Sequence, residues 1–341
     1  MTLTQVFLGE VLLGIEKLIL GKKVDVVCGG PCMSEAGLAV MDLYAKHKIV
    51  GINAVGVWTP AWFHKAKKDI QRYRYCFKTT GEVTYWLDYT KKILINLKEV
   101  HGLNKIYFIS SEAAHARAFC DGLRKESTEI GWNVVGYDVN PIATTDFSIP
   151  LNKAKAAGAQ FIIAHQQPPF DVHIAKQHAE MKIPALICGL FNSSAEPAMW
   201  ETTSGKVNHI LILNGEAGTT PDQLVTPLTK PFYDAYTKRW GMEPHFAVAQ
   251  TAYDSIFVLK DAIERAKTLD TDALITALEQ TDMVTVSGRL MFDKSSHTAI
   301  YGDDPKKTLV GNIVQWQDGK RVCVYPPSIA TAKIKLPPGL K

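Results

Sequence analysis

The sequence predicts an α/β protein built on parallel sheets flanked by helices. Three observations predict it. Between residues 24 and 214, short apolar runs of strand length alternate with amphipathic stretches of helix length. The chain has 341 residues, long for one compact core and suited to two lobes. Hydrophobic residues make up 46% and charged residues 21%, the balance of a globular protein.

The elements follow in order. Residues 1–23, MTLTQVFLGEVLLGIEKLILGKK, are apolar, but Glu10 and Glu16 interrupt them and no basic stretch precedes them. They fit neither a signal peptide nor a membrane span. They fit an amphipathic helix with Val6, Leu12, Leu13, Ile15, Leu18 and Ile19 on its buried side, stopped at Gly21. A strand at 24–28 then meets Gly29, Gly30 and Pro31 before a helix at 35–47, and a strand follows at 49–53. Further strands are expected at 105–110, 133–139, 160–165, 185–190 and 209–214. Helices are expected at 114–130, 148–157 and 170–181. The last third changes character, with three successive helices at 221–240, 245–267 and 271–280. In the middle one Val248, Ala252, Ile256, Leu259 and Ile263 fall on one side. After Val286 the pattern turns antiparallel, ending in a hairpin of 310–317 and 321–325 across Asp318-Gly319, a type I′ turn.

In open parallel sheets ligands sit beyond the carboxyl ends of the strands. The loops found there hold Ser34, Trp58, Thr59, His115, His165, Gln166, Gln167, Phe191 and Asn192. The first turn, GGPCMSE, has neither the G-x-G-x-x-G of a dinucleotide site nor a P-loop pattern. The nucleophile elbow G-x-S-x-G is absent, and only position in the sheet relates Cys32 to His115. The six cysteines include one close pair, Cys28 and Cys32, short of the four ligands of a structural zinc site. Buried free thiols are the plainer reading, and no cofactor is expected. Net charge is +4 with no dense basic block, so nucleic acid is not an expected partner. A solute site fits better. Backbone N–H groups and Ser34 at a helix N-terminus suit a carboxylate. Trp58 and Phe191 offer flat apolar area, and His115, Gln166 and Gln167 offer polar groups. Each also has a plain packing role open to it: Trp58 as a core or hinge anchor, Phe191 in the core, His165 as a satisfied strand-end residue.

Several stretches carry a family resemblance: EKLILGKKVDVVCGGPCMSEAGLAV, HKIVGINAVGVWTPAW, RYRYCFKTTGE, NKIYFISSEAAHARAF, ATTDFSIPLNKAKAAGAQFIIA, FYDAYTKRWGMEP and AYDSIFVLKDAIERA. In order and spacing, over nearly the whole chain, they resemble the type I periplasmic solute-binding proteins of branched-chain amino acid (leucine/isoleucine/valine) ABC transporters. The resemblance implies two Rossmann-like lobes joined by three crossovers, with a ligand cleft between lobes that close by a hinge. It implies one lobe at 1–85 plus 215–285 and another at 86–214 plus 286–341. It also implies a non-catalytic, periplasmic or extracellular receptor that delivers a small solute to an ABC transporter permease. Ser34 and the stretch 56–59, with Val57, Trp58 and Thr59, match positions that hold the ligand carboxylate. His115 stands where the family usually has tyrosine, Gln166 and Gln167 match a further contact loop, and Phe191 falls where an acid often binds the α-amino group.

Those departures shift the expected ligand. Without the acid an ammonium group lacks its partner, and a buried unpaired charge is costly. The expectation is a carboxylate ligand, amino acid-like or an aromatic acid, its acid group on the GGPCMSE turn and His115. The resemblance further implies a strand, a helix and a strand ahead of the matched segment. Their absence would mean a mis-called start, a gene fragment or a shortened member, with an uncovered sheet edge in the first lobe. Two other readings stand beside transport: a ligand-sensing regulatory domain of the same fold, and a doubly wound enzyme, for which no catalytic constellation is found.

Overall fold

The computed structural model describes residues 3–30, 34–167, 169–246 and 248–340, without the side chains of residues 3–7 and 114. The chain runs α1 (Leu3–Glu16), a π-helical turn (Lys17–Gly21), β1 (Val26–Gly29), α2 (Ser34–His47), β2 (Val50–Asn53), α3 (Pro60–Lys68), α4 (Ile70–Tyr73) and β3 (Cys76–Lys78). It continues through α5 (Val83–His101), β4 (Lys105–Ser111), α6 (Ala114–Glu129), β5 (Asn133–Asn140), α7 (Ser148–Ala156), β6 (Phe161–His165), α8 (Asp171–Glu180), β7 (Leu186–Gly189), α9 (Met199–Thr202) and β8 (Leu211–Asn214). Then come α10 (Thr229–Trp240), α11 (Ala249–Ala266), α12 (Thr271–Glu279), β9 (Asp282–Thr285), β10 (Gly288–Met291), β11 (Asn312–Gln317) and β12 (Lys320–Tyr325). Among the described residues no helix is long and apolar enough to cross a membrane.

The chain divides into two compact units. The first comprises Met1–Glu82, Val225–Ala235 and Val248–Gly311. Its sheet is parallel, in the order β1-β2-β3. One core packs Val40, Met41, Tyr44 and Trp62 of α2 and α3 with Val27 and Ile15. Another packs Val50, Ile52 and Phe77 with Val258, Ala262, Leu274 and Leu278 of α11 and α12. Hydrophobic burial on both sheet faces is why these strands read as unbroken apolar runs.

The second unit comprises Val83–Leu224, Tyr236–Ala247 and Asn312–Lys341. Its seven strands run β12-β11-β8-β7-β6-β4-β5. The five from β8 to β5 are parallel, while β11 and β12 are antiparallel additions at one edge. The hairpin between them turns as expected, with φ of 53° at Asp318 and 85° at Gly319.

The division departs from the expected one at 83–85, 215–224, 236–247 and 286–311, the first two of which lie with the second unit. Residues 286–311 lie with the first unit, because Leu290, Phe292, Ala299 and Leu309 pack in the core of its sheet. Residues 236–247 lie with the second, where Phe246 joins the core.

Local expectations are corrected too. The helix expected from 221 begins only at Thr229. Pro227 lacks an N–H and disfavours helix at Thr226, whose hydroxyl instead takes the Leu228 N–H at 3.2 Å. In α11 the buried line is Thr251, Asp254, Ser255, Val258 and Ala262, with Leu259 and Ile263 flanking it, and Ile256 is 54% exposed. In α1 and the following turn Ile15 is buried with Val11, Leu12 and Ile19 beside it, while Leu13 and Leu18 face solvent. Between residues 54 and 104, where no element was expected, Thr59 caps α3, β3 forms the sheet edge and α5 buries Trp86, Tyr89, Ile93 and Leu97.

Candidate functional site

The first unit builds one group of candidate residues around the ends of β1 and β2. Gly29 and Gly30 carry φ of 118° and 80°. A Cβ at Gly30 would stand 2.7 Å from Asn53 Oδ1, so only glycine lets the first turn approach β2 so closely. Asn53 Nδ2 donates to the Val55 carbonyl at 3.2 Å, and the Ala54 N–H to the Gly29 carbonyl at 2.7 Å. Ser34, half-buried, is the first residue of α2. Cys32 lies outside the described residues. Its expected neighbour Cys28 donates to Ser255 Oγ at 3.4 Å, and burial pushes its thiol above the ordinary range.

The loop after β2 is more constrained than its sequence suggests. Val57 has a φ of 58°, a genuine outlier for a β-branched residue. Its side chain is fully buried in the core beside Val40, Met41 and Trp62, so it meets a ligand only through its backbone. Trp58 and Thr59 are half-buried. Thr59 accepts the Ala61 N–H at 3.2 Å as the N-cap of α3, with Pro60 in the first turn.

The second unit builds another group at the carboxyl ends of its parallel strands. Register pairs Ser110 of β4 with His165 of β6. The chain turns straight from β4 into α6, which sets His115 in the first turn and Phe119 one turn on. His115 Nε2 lies 2.7 Å from Gln167 Nε2, its ring centroid 5.4 Å from that of His165. The Phe119 ring is 5.0 Å from His165. Gln166, the next residue after His165, donates to the Ile109 carbonyl at 3.0 Å.

Polar atoms here outnumber their partners. Ser111 Oγ, both ring nitrogens of His165, Gln166 Oε1 and Asn192 Oδ1 are buried with no hydrogen-bond partner among the described residues. Each such atom costs about 1–3 kcal/mol. Burial, and secondly the neighbouring His115, hold His165 well below the usual imidazole range. The neutral ring therefore offers one N–H donor and one bare nitrogen. Phe191 does not join this group. It is fully buried in the core with Ile162, Ala164 and Ile187.

Sequence reading thus located Ser34, Trp58 and Thr59 on one sheet end and His115, Gln166 and Gln167 on another. It missed Lys78 and Thr80, whose side chains hold the loop at 56–57, and Ser111. The signal for the first two was the FKTT run, which ends a strand of only three residues. A surface cavity of 390 Å³ elsewhere in the second unit is lined by Asp222, Glu243, Trp316 and Arg321. Its buried guanidinium is already answered by Glu243 and the Ala195 carbonyl. Among the described residues no three His, Cys, Asp or Glu side chains gather as metal ligands do.

The family model for periplasmic binding proteins matches residues 10–320. The chain belongs to this family. Membership sets it among binding proteins, not enzymes. A Leu/Ile/Val-binding protein homolog from Brucella abortus is 28% identical over 222 residues, covering 61% of this chain and 52% of that protein. The chain thus spans about half the length of the curated relatives it matches. A solved structure of a candidate branched-chain amino acid ABC transporter protein from Silicibacter pomeroyi superposes with a TM-score of 0.82 at 18% identity. That match covers 97% of this chain and 86% of the other. A solute-binding protein of an ABC transporter from R. palustris, solved in complex with benzoate, gives a TM-score of 0.75 at 14% identity over 96% of this chain and 84% of its own. These likenesses establish the fold of a periplasmic binding protein with two lobes of parallel sheet and flanking helices.

Proposed function

We propose that this binding protein takes up a small carboxylate-bearing solute of aromatic character, outside the cytoplasmic membrane, for delivery to the permease of an ABC transporter. The observation that carries the reading is the set of buried polar atoms at the carboxyl ends of β4, β6 and β7. Ser111, His165, Gln166 and Asn192 have no protein partner for those atoms among the described residues. Such groups are retained where something else completes them. The first unit adds a helix N-terminus at Ser34, a second at Thr59 and the half-buried Trp58. Trp58 adds flat apolar area, which favours an aromatic acid over an aliphatic amino acid. The relative solved with benzoate supports that preference.

The experiment is a thermal-shift screen against benzoate, 3,4-dihydroxybenzoate, leucine and phenylalanine. A ligand of the folded chain raises stability by RT ln(1 + [L]/Kd), about 2.7 kcal/mol at a hundredfold excess over Kd. The expected result is a shift with the benzoates and none with leucine, reduced in Ser34→Ala and His115→Ala. A shift with leucine alone would overturn the aromatic preference. Unchanged affinity in both variants would overturn the assignment of these residues.

A further inference from the structure

Lys78 is the last residue of β3 and is wholly buried. A lysine is almost never placed so unless its charge is answered. Here its Nζ donates to the Val57 carbonyl at 3.0 Å and the Gly81 carbonyl at 2.9 Å, and lies 3.6 Å from Glu82 Oε1. Two carbonyls accept from the ammonium group, and the Glu82 carboxylate stands beside it as its charge partner. The backbone behind it is pinned on both sides. The Lys78 N–H donates to His297 at 3.0 Å, and the Lys78 carbonyl accepts from Ala299 at 2.8 Å. The ammonium group is therefore carried on a fixed strand and cannot follow the loop.

The loop it holds is the strained one. Left-handed backbone at a β-branched residue persists only where the surroundings over-determine it. Val57 is gripped from two sides. Its methyl carbons occupy the space a side chain on Gly37 would need, 2.4 and 2.6 Å from where that Cβ would stand. Its carbonyl is held by Lys78, and the preceding Gly56 carbonyl by Thr80 Oγ1 at 2.7 Å. Trp58 and Thr59 come next in the chain, so the direction in which they leave is set by the Val57 conformation.

We propose that Lys78 is the positioning residue of the binding turn at 56–59, acting through the Val57 carbonyl and not by touching the ligand. The inference rests on the proposed binding role of that turn, and it makes a prediction that needs no ligand. Lysine supplies reach and a donor that most residues lack. Glycine at position 57 would adopt the same backbone with no clamp.

The test is a cycle of Lys78→Met, which keeps the length and removes the donor, Val57→Gly, and the double variant. Two readouts are followed in each: the NMR signal of the Trp58 indole N–H, assigned by Trp58→Phe, and benzoate affinity by calorimetry. K78M is expected to move the indole signal and to weaken benzoate roughly tenfold or more, as loss of an outer supporting partner does at other sites. In the V57G background the same change is expected to cost little on both readouts. An equal loss in both backgrounds, or an unmoved indole signal in folded K78M, would overturn the proposal. If no benzoate binds to the parent chain, the proposed ligand is wrong and the indole signal still decides the clamp. If K78M fails to fold, folding of the double variant supports the clamp, and failure of both assigns Lys78 to the core and overturns it.

Discussion

The two units use buried polar groups differently at their sheet ends. In the first, the carbonyls of the turn at 53–57 are answered from within the protein, although Asn53 Oδ1 is not. Asn53, Lys78 and Thr80 hold its carbonyls, and Gly37 admits the Val57 side chain. In the second, Ser111, His165, Gln166 and Asn192 leave polar atoms unanswered among the described residues. A binding surface that works through backbone must fix the backbone. One that works through side chains must keep their hydrogen-bonding capacity for something else. The price is local instability in the second unit, and the difference can be tested.

The largest expected effect is on pH dependence, where buried groups in the two units have opposite signs. Asp254 of α11 accepts the Val286 N–H at 3.0 Å. Burial pushes its carboxyl up to about 7, against hydrogen bonds from Val286, Thr285 and Ser287. The unfolded chain releases this proton near pH 4, so between about 4 and about 7 the folded state binds more protons. Stability contributed by Asp254 therefore falls as pH rises through that window. His178 of α8 is the reverse case. Burial pushes its imidazole down to about 4, although its Nε2 lies 3.0 Å from the Ala185 carbonyl. The unfolded chain takes the proton first, and stability falls as pH drops from about 6.5 to about 4. Each effect is on the order of 3 kcal/mol at its limit. The two windows overlap, so the contributions oppose one another between about pH 4 and about 6.5; in urea unfolding Asp254→Asn is expected to leave stability rising with pH through that range, and His178→Gln to leave it falling. Unchanged slopes would show that neither group titrates differently in the folded chain.

Next in size is Gly37→Ala. The new Cβ meets the Val57 methyl carbons at 2.4 and 2.6 Å, and Val57 has no room to retreat while Lys78 holds its carbonyl. Overpacking of this kind costs about 1–3 kcal/mol. Calorimetric melting should show that loss, and Val57→Ala in the same chain should recover part of it. A full-size loss in the double variant would place the clash elsewhere. Smaller again is Thr59→Ala, which removes the side-chain cap of α3 and is expected to cost about 1 kcal/mol. Its urea midpoint checks this, and no change would mean the cap is replaced by solvent.

Most of the fold was legible in the sequence because burial on both faces of a parallel sheet leaves a simple mark. The runs KIYFIS, QFIIA and ALICG have apolar centres and became β4, β6 and β7. What stayed hidden depended on tertiary partners. Asp254 and Ser255 lie on the buried side of α11 because they answer the Val286 N–H and the Cys28 thiol across the core, so an apolar stripe misplaced the face onto Ile256. Val57 and Phe191 were legible as residues after strands, but which way each side chain turns is decided by what it packs on: Gly37 opens the space for Val57, and Phe191 joins the core of the second unit. Lys78 was only partly legible: FKTT marks it as the end of a short strand, but nothing in that run tells that the lysine turns inward.

The smallest expected effect on stability separates the two sheet ends most sharply. His165→Phe replaces a ring of similar size with one that needs no hydrogen bonds. If the imidazole nitrogens have no protein partner, the change removes two uncompensated polar atoms and leaves the contacts with Phe119 and His115 in place. Replacing such a group by an apolar one of the same shape is nearly neutral or stabilising. The melting temperature should therefore hold or rise while benzoate affinity falls, the exchange expected of a residue kept for binding. Loss of stability would mean that the ring is already satisfied from within the protein, and that the second unit's sheet end is as fully answered as the first unit's turn.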